Sequence, residues 1–336
     1  MPGFLRWHAA GSGQVPQVSA ALSLADHLGA CKARWGINRM SFLVPAGLYA
    51  IGEPDADAPV VVTANYKMSF DLVRQALNGR HVWLLVLETF GINVWCAAGK
   101  GTFGTDELVH RIAEEKLSSV VAHRRLILPI LGAPGVAAHQ VKRRSGFEVA
   151  YATIRATDLP EYLDNGERTT AAMRQLSFTW YERLVLVPVE VVLGLKAVAL
   201  TGAALYLAAA LLGGAGAAAT LLLAYLGAVF TGVAVAPVLL PLLPGKSFAV
   251  KGACAGVLYS VMLHAVSGGA SWGVPATLAA FLALPAISAF YTLNFTGCTT
   301  YTSRSGVKKE MRLGLPVMAG ALIASALLLV AGRLLS

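Results

Sequence analysis

Val82 to Thr105 reads VWLLVLETFGINVWCAAGKGTFGT. Six apolar residues, rich in β-branched and aromatic types, form a buried-strand pattern over Val82–Leu87. Glycines at 91, 99, 101 and 104 then punctuate the chain, and a helix is expected from Asp106 to Leu117, with Thr105 as its cap and Asp106 and Glu107 in its first turn. Between strand and helix stands one cysteine, Cys96, with Lys100 four residues on. A thiol near a helix start and a lysine is expected to have a lowered pKa, which favours the thiolate that coordinates metal. The competing reading is an inert buried cysteine, which composition alone favours.

Working outward, Val60–Thr63 (VVVT), Leu126–Leu131 and Phe147–Ile154 read as further strands, with helices over Ser69–Leu77 and Ala137–Arg144. Strands alternating with helices predict a doubly wound, Rossmann-like α/β sheet, whose ligands lie beyond the carboxyl ends of the strands. Three such ends meet on one rim: Thr63-Ala64-Asn65, Asn93-Val94-Trp95-Cys96 and Leu131-Gly132-Ala133. Small and polar residues there suit a large planar cofactor, although many nucleotide sites would look similar.

The rest of the chain has a different composition. Residues 1–183 hold 19 Lys/Arg and 16 Asp/Glu, whereas 184–336 hold 8 and 2. The first part is expected to be a water-soluble domain and the second an all-α transmembrane domain of about five helices, at 197–213, 217–236, 250–266, 274–293 and 315–335. Lys246, Arg304, Lys308, Lys309 and Arg312 fall after the second and fourth spans, while the loops after the first and third carry no charge. Positive loops stay inside. The expected protein is therefore multi-pass in the cytoplasmic membrane, with its N-terminal domain in the cytoplasm and no signal peptide ahead of it. Lys196 and Lys251 are expected to snorkel. His264 is read as an interhelical hydrogen-bonding residue in preference to an ion path. The net charge of +9 is largely juxtamembrane, and no nucleic-acid motif accompanies it.

Of the other cysteines, Cys31 falls in a helical N-terminal segment, Cys254 inside a span and Cys298 in a Ser/Thr-rich loop. No C-x-x-C pair is present, so no iron–sulfur cluster, zinc site or redox dithiol is expected in this chain.

The run from Arg34 to Leu163 resembles the cobalamin-binding domain of the mercury-methylating corrinoid proteins. RWGINRM, PAGLYAIGEPDADAPVVVTANYKMSFD, GINVWCAAGKGTFGTDELVHRI and LPILGAPGVAAHQV carry the resemblance, with NVWCAAGK (Asn93–Lys100) as its signature. The five-span region matches that family's architecture. A second block, Asn294–Arg312, resembles a loop in the large subunit of the corrinoid iron–sulfur proteins of acetyl-CoA synthesis.

The resemblance implies a cobalamin or related corrinoid bound base-off, with the Cys96 thiolate as lower axial ligand to cobalt and as the catalytic residue. Thr63, Ala64, Asn65, Asn93, Val94, Trp95, Cys96, Ala97, Gly99, Lys100, Gly132 and Ala133 would contact the cofactor, and Gly101 would let the backbone approach it. The same resemblance implies a methyltransferase that takes a methyl group from a methyltetrahydrofolate-linked donor and passes it to Hg(II), forming methylmercury. A ferredoxin-like partner with two [4Fe-4S] clusters would supply electrons at the bilayer face. No histidine stands in the D-x-H-x-x-G pattern of corrinoid proteins that use an imidazole ligand. Alternatives are a corrinoid methyl carrier for another acceptor, a membrane transport protein with a soluble regulatory domain, or a membrane-anchored assembly factor.

Overall fold

The computed structural model describes residues 2–11, 13–299, 302 and 304–335. The chain divides into two compact units, Met1–Leu176 and Ser177–Ser336.

The first unit is built on a mixed seven-stranded sheet. Its strands are β1 (Phe4–Ala10), β2 (Gly13–Val18), β3 (Gly47–Ile51), β4 (Val60–Ala64), β5 (Val82–Leu87), β6 (Arg125–Leu128) and β7 (Glu148–Tyr151), in the order β1-β2-β3-β5-β4-β6-β7. Strands β5, β4, β6 and β7 are parallel, in register from Val60 opposite Trp83 to Ala64 opposite Leu87. Three strands then extend the sheet beyond β5: β3 runs antiparallel to it, and the β1–β2 hairpin lies outside β3. The alternation read from the sequence thus describes the parallel part, and the N-terminal strands make the whole sheet mixed.

Helices α1 (Leu24–Arg34), α2 (Lys67–Ala76), α3 (Val94–Lys100), α4 (Thr105–Glu114), α5 (Leu117–Val120), α6 (Ala138–Ser145) and α7 (Leu159–Asp164) complete the unit. Strand side chains alternate between two faces. Val60, Val62, Leu85 and Leu87 pack with Ala97, Leu108, Ile112 and Val141 of α3, α4 and α6. Val61, Leu84 and Val86 pack on the other side with Phe70 of α2 and with Leu159 and Tyr162 of α7. Both faces being covered explains why β4 and β5 are continuous apolar runs.

A buried charge network ties α1 to α2. Lys67 Nζ lies 2.6 Å from Asp26 and 2.5 Å from Asp71, and the fully buried Arg74 reaches Asp71 at 2.8 Å and Asp26 at 2.9 Å. Burial pushes the Asp26 carboxyl up, but Lys67, Ser23 and Arg74 together hold it far below the usual carboxylate range.

Among the described residues of the second unit, four helical stretches are long and apolar enough to cross a bilayer: Trp180–Val238, Phe248–Val266, Val274–Gly297 and Ser305–Leu334. The first comprises α8 (Trp180–Leu184), α9 (Val187–Phe230), a π-helical turn at Thr231–Val235 and α10 (Ala236–Val238). It is not straight. Gly214 leaves the helical region (φ 80°, ψ 176°), and Leu222 and Tyr225 stand 3.1 and 3.6 Å from where a Gly202 Cβ would lie. Twenty straight helical residues would span about 30 Å. The stretch therefore doubles back as a hairpin, which reconciles four continuous stretches with five apolar segments in the sequence.

Helices α11 (Phe248–Val266), α12 (Val274–Asn294) and α13 (Arg304–Leu335) follow. Glycines let α12 approach its neighbours. A Cβ at Gly256 would meet the Pro285 backbone at 2.5 Å, one at Gly252 would meet Thr292 at 2.5 Å, and one at Gly232 would meet the Ser288 carbonyl at 2.5 Å. Lys251 does not snorkel. Its Nζ donates to the carbonyls of Leu240 and Leu243 (the latter at 2.7 Å), at the end of the preceding helical stretch. His264 lies edge-on to Trp272 and Phe281, with ring centroids 5.4 and 6.1 Å away.

Candidate functional site

Strands β4, β5 and β6 are parallel neighbours, so their carboxyl ends share one edge. Asn65 organises it. Buried completely, its side-chain amide donates to Glu88 Oε1 at 2.6 Å, and its Oδ1 accepts from Thr89 N–H (3.1 Å), Thr89 Oγ1 (2.9 Å) and Gly91 N–H (3.2 Å). Thr89 Oγ1 also lies 2.7 Å from the Ile92 carbonyl. Glu88 accepts from Phe90 N–H at 2.7 Å, and its own N–H donates to Glu107 Oε1 at 2.8 Å. Asn65 thus spends its side-chain hydrogen bonds shaping the turn that leads into α3. Glu88, Thr89 and Glu107 were not among the residues expected from the sequence, since their partners lie on other elements.

The turn carries strain. Phe90 has φ 57°, a left-handed conformation that a bulky side chain rarely adopts, and it is 64% exposed. Gly91 (φ 71°) has the Met40 carbonyl 3.0 Å from where its Cβ would lie and Leu43 at 3.7 Å. The exposed Leu43 side chain and the Met40 backbone therefore border the turn that presents Phe90.

Helix α3 follows directly. Asn93 caps it, its Oδ1 accepting from Cys96 N–H at 2.9 Å, and Gly101 (φ 84°) ends it. Ala97 and Ala98 are buried in the core, Val94 and Trp95 are half-buried, and Gly99 and Lys100 are exposed. Nothing lies within 4 Å of where a Cβ on Gly99 or Gly101 would stand. Cys96 is half-buried, and it is a free thiol. Burial pushes its pKa up, while Lys100, Arg39 and the Asn93 hydrogen bond pull in the opposite direction without overcoming it. This corrects the expected lowered pKa, because desolvation of the thiolate outweighs the nearby cations.

The other rim residues divide. Thr63 is buried, and its hydroxyl has no hydrogen-bond partner. Ala64 is buried within the core. Gly132 packs against the Phe103 ring, 2.5 Å from where its Cβ would be, and Ala133 is exposed after a 3₁₀ turn begun by Pro129. Thr105 does not cap α4. Gly104 takes that position, and the Thr105 hydroxyl accepts from Ala137 N–H at 2.8 Å, joining α4 to the loop before α6. Among the described residues no cluster of three or more His, Cys, Asp or Glu could hold a metal ion. The side chain of Cys298 lies outside the described residues.

Residues 38–159 match the family model for the CO dehydrogenase/acetyl-CoA synthase delta subunit. Acetyl-CoA decarbonylase/synthase complex subunit gamma of Methanopyrus kandleri is 32% identical over 123 residues, covering 36% of this chain and 26% of that protein. The corresponding subunit of Archaeoglobus fulgidus is 36% identical over 92 residues, covering 27% and 20%, and subunit gamma 2 of Methanosarcina thermophila is 36% identical over 101 residues, covering 28% and 21%. The match spans about a quarter of the length of these relatives.

These matches overturn the mercury-methylating resemblance. The segment that carried it aligns instead with subunits of the acetyl-CoA decarbonylase/synthase complex, and methyl transfer to Hg(II) is withdrawn with it. The physical reason is that a cysteine on a capped helix bears on the ligand it faces and not on what that ligand later reacts with. The transport alternative gives way likewise, and nothing in the matches supports Hg(II) or a ferredoxin-like partner.

Proposed function

We propose that Met1–Leu176 is a Rossmann-like corrinoid-binding unit serving methyl transfer in a system of the acetyl-CoA decarbonylase/synthase type. The observation that carries this reading is the Cys96 thiol on a bare, glycine-flanked helix at the carboxyl edge of the sheet, inside the segment shared with that family. The residues fit a corrinoid in two respects. Open space beside Gly99 and Gly101 accommodates a flat macrocycle, and the exposed Phe90 and Leu43 suit its apolar edge. A bound corrinoid would supply a cobalt centre able to take up and release a methyl group.

The chain's own residues hold and tune the ligand. Asn93 fixes the backbone of Cys96, and the Asn65–Thr89–Glu88 network fixes the turn before it. Lys100 and Arg39 offset the desolvation that disfavours the thiolate, so that proton loss from Sγ on ligation is less costly. Ala97 and Ala98 anchor the helix in the core, which keeps the sulfur on its outward side.

The apolar unit would lie in the cytoplasmic membrane as a multi-pass domain, with Met1–Leu176 in the cytoplasm. Supporting this are the length and composition of its helices and the cations at two of their amino ends, Lys246 just before α11 and Lys308, Lys309 and Arg312 in the first turns of α13.

Loading the purified full chain with hydroxocobalamin tests the assignment. One corrinoid per chain is expected to co-purify, with an optical spectrum that changes in Cys96→Ala. Methyl transfer to an acetyl-CoA synthase-type subunit should fall at least ~100-fold in that variant, the upper end of what losing a supporting residue around a metal costs. Unchanged spectrum and rate would overturn the thiolate assignment.

A further inference from the structure

Helices α11, α12 and α13 enclose a groove of about 600 Å³. Its walls are apolar, small residues such as Ala253, Ala286 and Gly314 alternating with larger ones such as Phe281, Leu313 and Met318. Its one polar end is formed by Ser247, Lys309 and Glu310. Twelve helical residues separate Lys309 from Ala321, a rise of about 18 Å and close to the ~15 Å depth of one leaflet's hydrocarbon. The groove therefore has the length of a single acyl chain running inward from the interface.

Charge at its mouth selects the headgroup. Glu310 is already engaged: its carboxylate accepts from Ser247 Oγ at 3.0 Å and from the N–H groups of Phe248 and Ala249 at 3.3 Å each, capping α11. That contact brings Lys246, which precedes Ser247, to the same end as Lys309 and its neighbours Lys308 and Arg312. Among the described residues none of these four cations forms an ion pair. An excess of positive charge thus surrounds the opening of an apolar slot.

We propose that this groove is a binding site for an anionic phospholipid, one acyl chain lying between α11, α12 and α13 and the phosphate held by Lys309 and Lys246. The proposal rests on the membrane reading above. It differs from general attraction of basic segments to anionic lipid in requiring both the cations and the apolar groove.

The test is native mass spectrometry of the full chain released from bilayers containing phosphatidylglycerol and phosphatidylcholine with identical acyl chains. Wild-type protein is expected to retain one phosphatidylglycerol in preference to phosphatidylcholine. Lys309→Gln should weaken that retention about fivefold, and the double variant with Lys246→Gln about 25-fold, from the usual effect of each cation near a lipid surface. Ala253→Leu, which narrows the slot without altering charge, should abolish retention. Equal retention of the two lipids by membrane-embedded wild type, or undiminished preference in the double variant, would overturn the site alone. Release of the wild-type chain from membranes by alkaline carbonate would overturn the membrane reading and the site together.

Discussion

The two ends of the sheet in Met1–Leu176 differ in how far their polar groups are already engaged. At the amino ends of β4, β5 and β6 lies a cavity of about 660 Å³ lined by His81, His123, Arg80, Arg125 and Glu167. Its polar groups largely satisfy one another. Arg80 pairs with Asp164 and Arg125 with Glu167, His81 Nδ1 accepts from Glu53 N–H at 2.7 Å, and His123 Nε2 lies 2.9 Å from the Ala58 carbonyl. The carboxyl ends offer a surface with chemistry left over: an uncommitted thiol, a strained exposed phenylalanine and bare glycines. On the proposed reading, volume alone would point to the opposite end, since a flat macrocycle needs a face and a ligand more than a hole.

Breaking the Asn65 clamp should have the largest effect. Asn65→Leu strands the Thr89 and Gly91 N–H groups in the interior, and at 1–3 kcal/mol for each buried group left unsatisfied, about 3 kcal/mol of stability should be lost. Urea denaturation would show this, together with weakened corrinoid retention. Phe90→Gly should sharpen the contrast from the opposite direction. Relief of the left-handed phenylalanine should raise stability by about 1 kcal/mol while corrinoid binding weakens, so a thermal melt and a binding titration would move oppositely.

Titration probes the same rim more gently. Because burial raises the Cys96 pKa, the thiol of the corrinoid-free protein is protonated at neutral pH, and its alkylation by iodoacetamide should accelerate only as pH rises beyond the ordinary thiol range of about 8.5. Lys100→Ala should move that rise still higher, since it removes a charge that favours the thiolate. The smallest effect belongs to the other end. Arg80→Ala removes a pair exposed at 34% and 58%, so neither corrinoid retention nor the denaturation midpoint should change measurably.

Particular residues show what could be read from the sequence. VVVT and VWLLVL mark β4 and β5 because strands covered on both faces need no polar alternation. The break at Gly214 lies in a run of seven glycines and alanines, Gly213–Ala219, between two apolar runs, where a reversal is readable. Strands β1 and β2 escaped because β1 is mostly exposed at the sheet edge, so FLRWHAA carries no buried-face pattern. The helix start at Thr105 was misjudged because Gly104 serves the cap position while the hydroxyl pairs with a residue 32 positions away. Such partners leave no local signal, and neither does the burial that sets the Cys96 proton affinity. The place of Cys96 on a capped helix beyond β5 was legible, but the acceptor chemistry was not, because a motif of this kind says nothing about a second substrate.

Contacts at Gly232, Gly252 and Gly256 leave α12 no slack toward the helices beside it. Adding even one methyl group at any of the three would have to prise whole rods apart, because each obstructing neighbour includes backbone or a short, buried side chain. Inheritance of such a change would produce a chain whose sheet-bearing unit keeps every one of its residues yet never accumulates, a defect visible first in protein abundance.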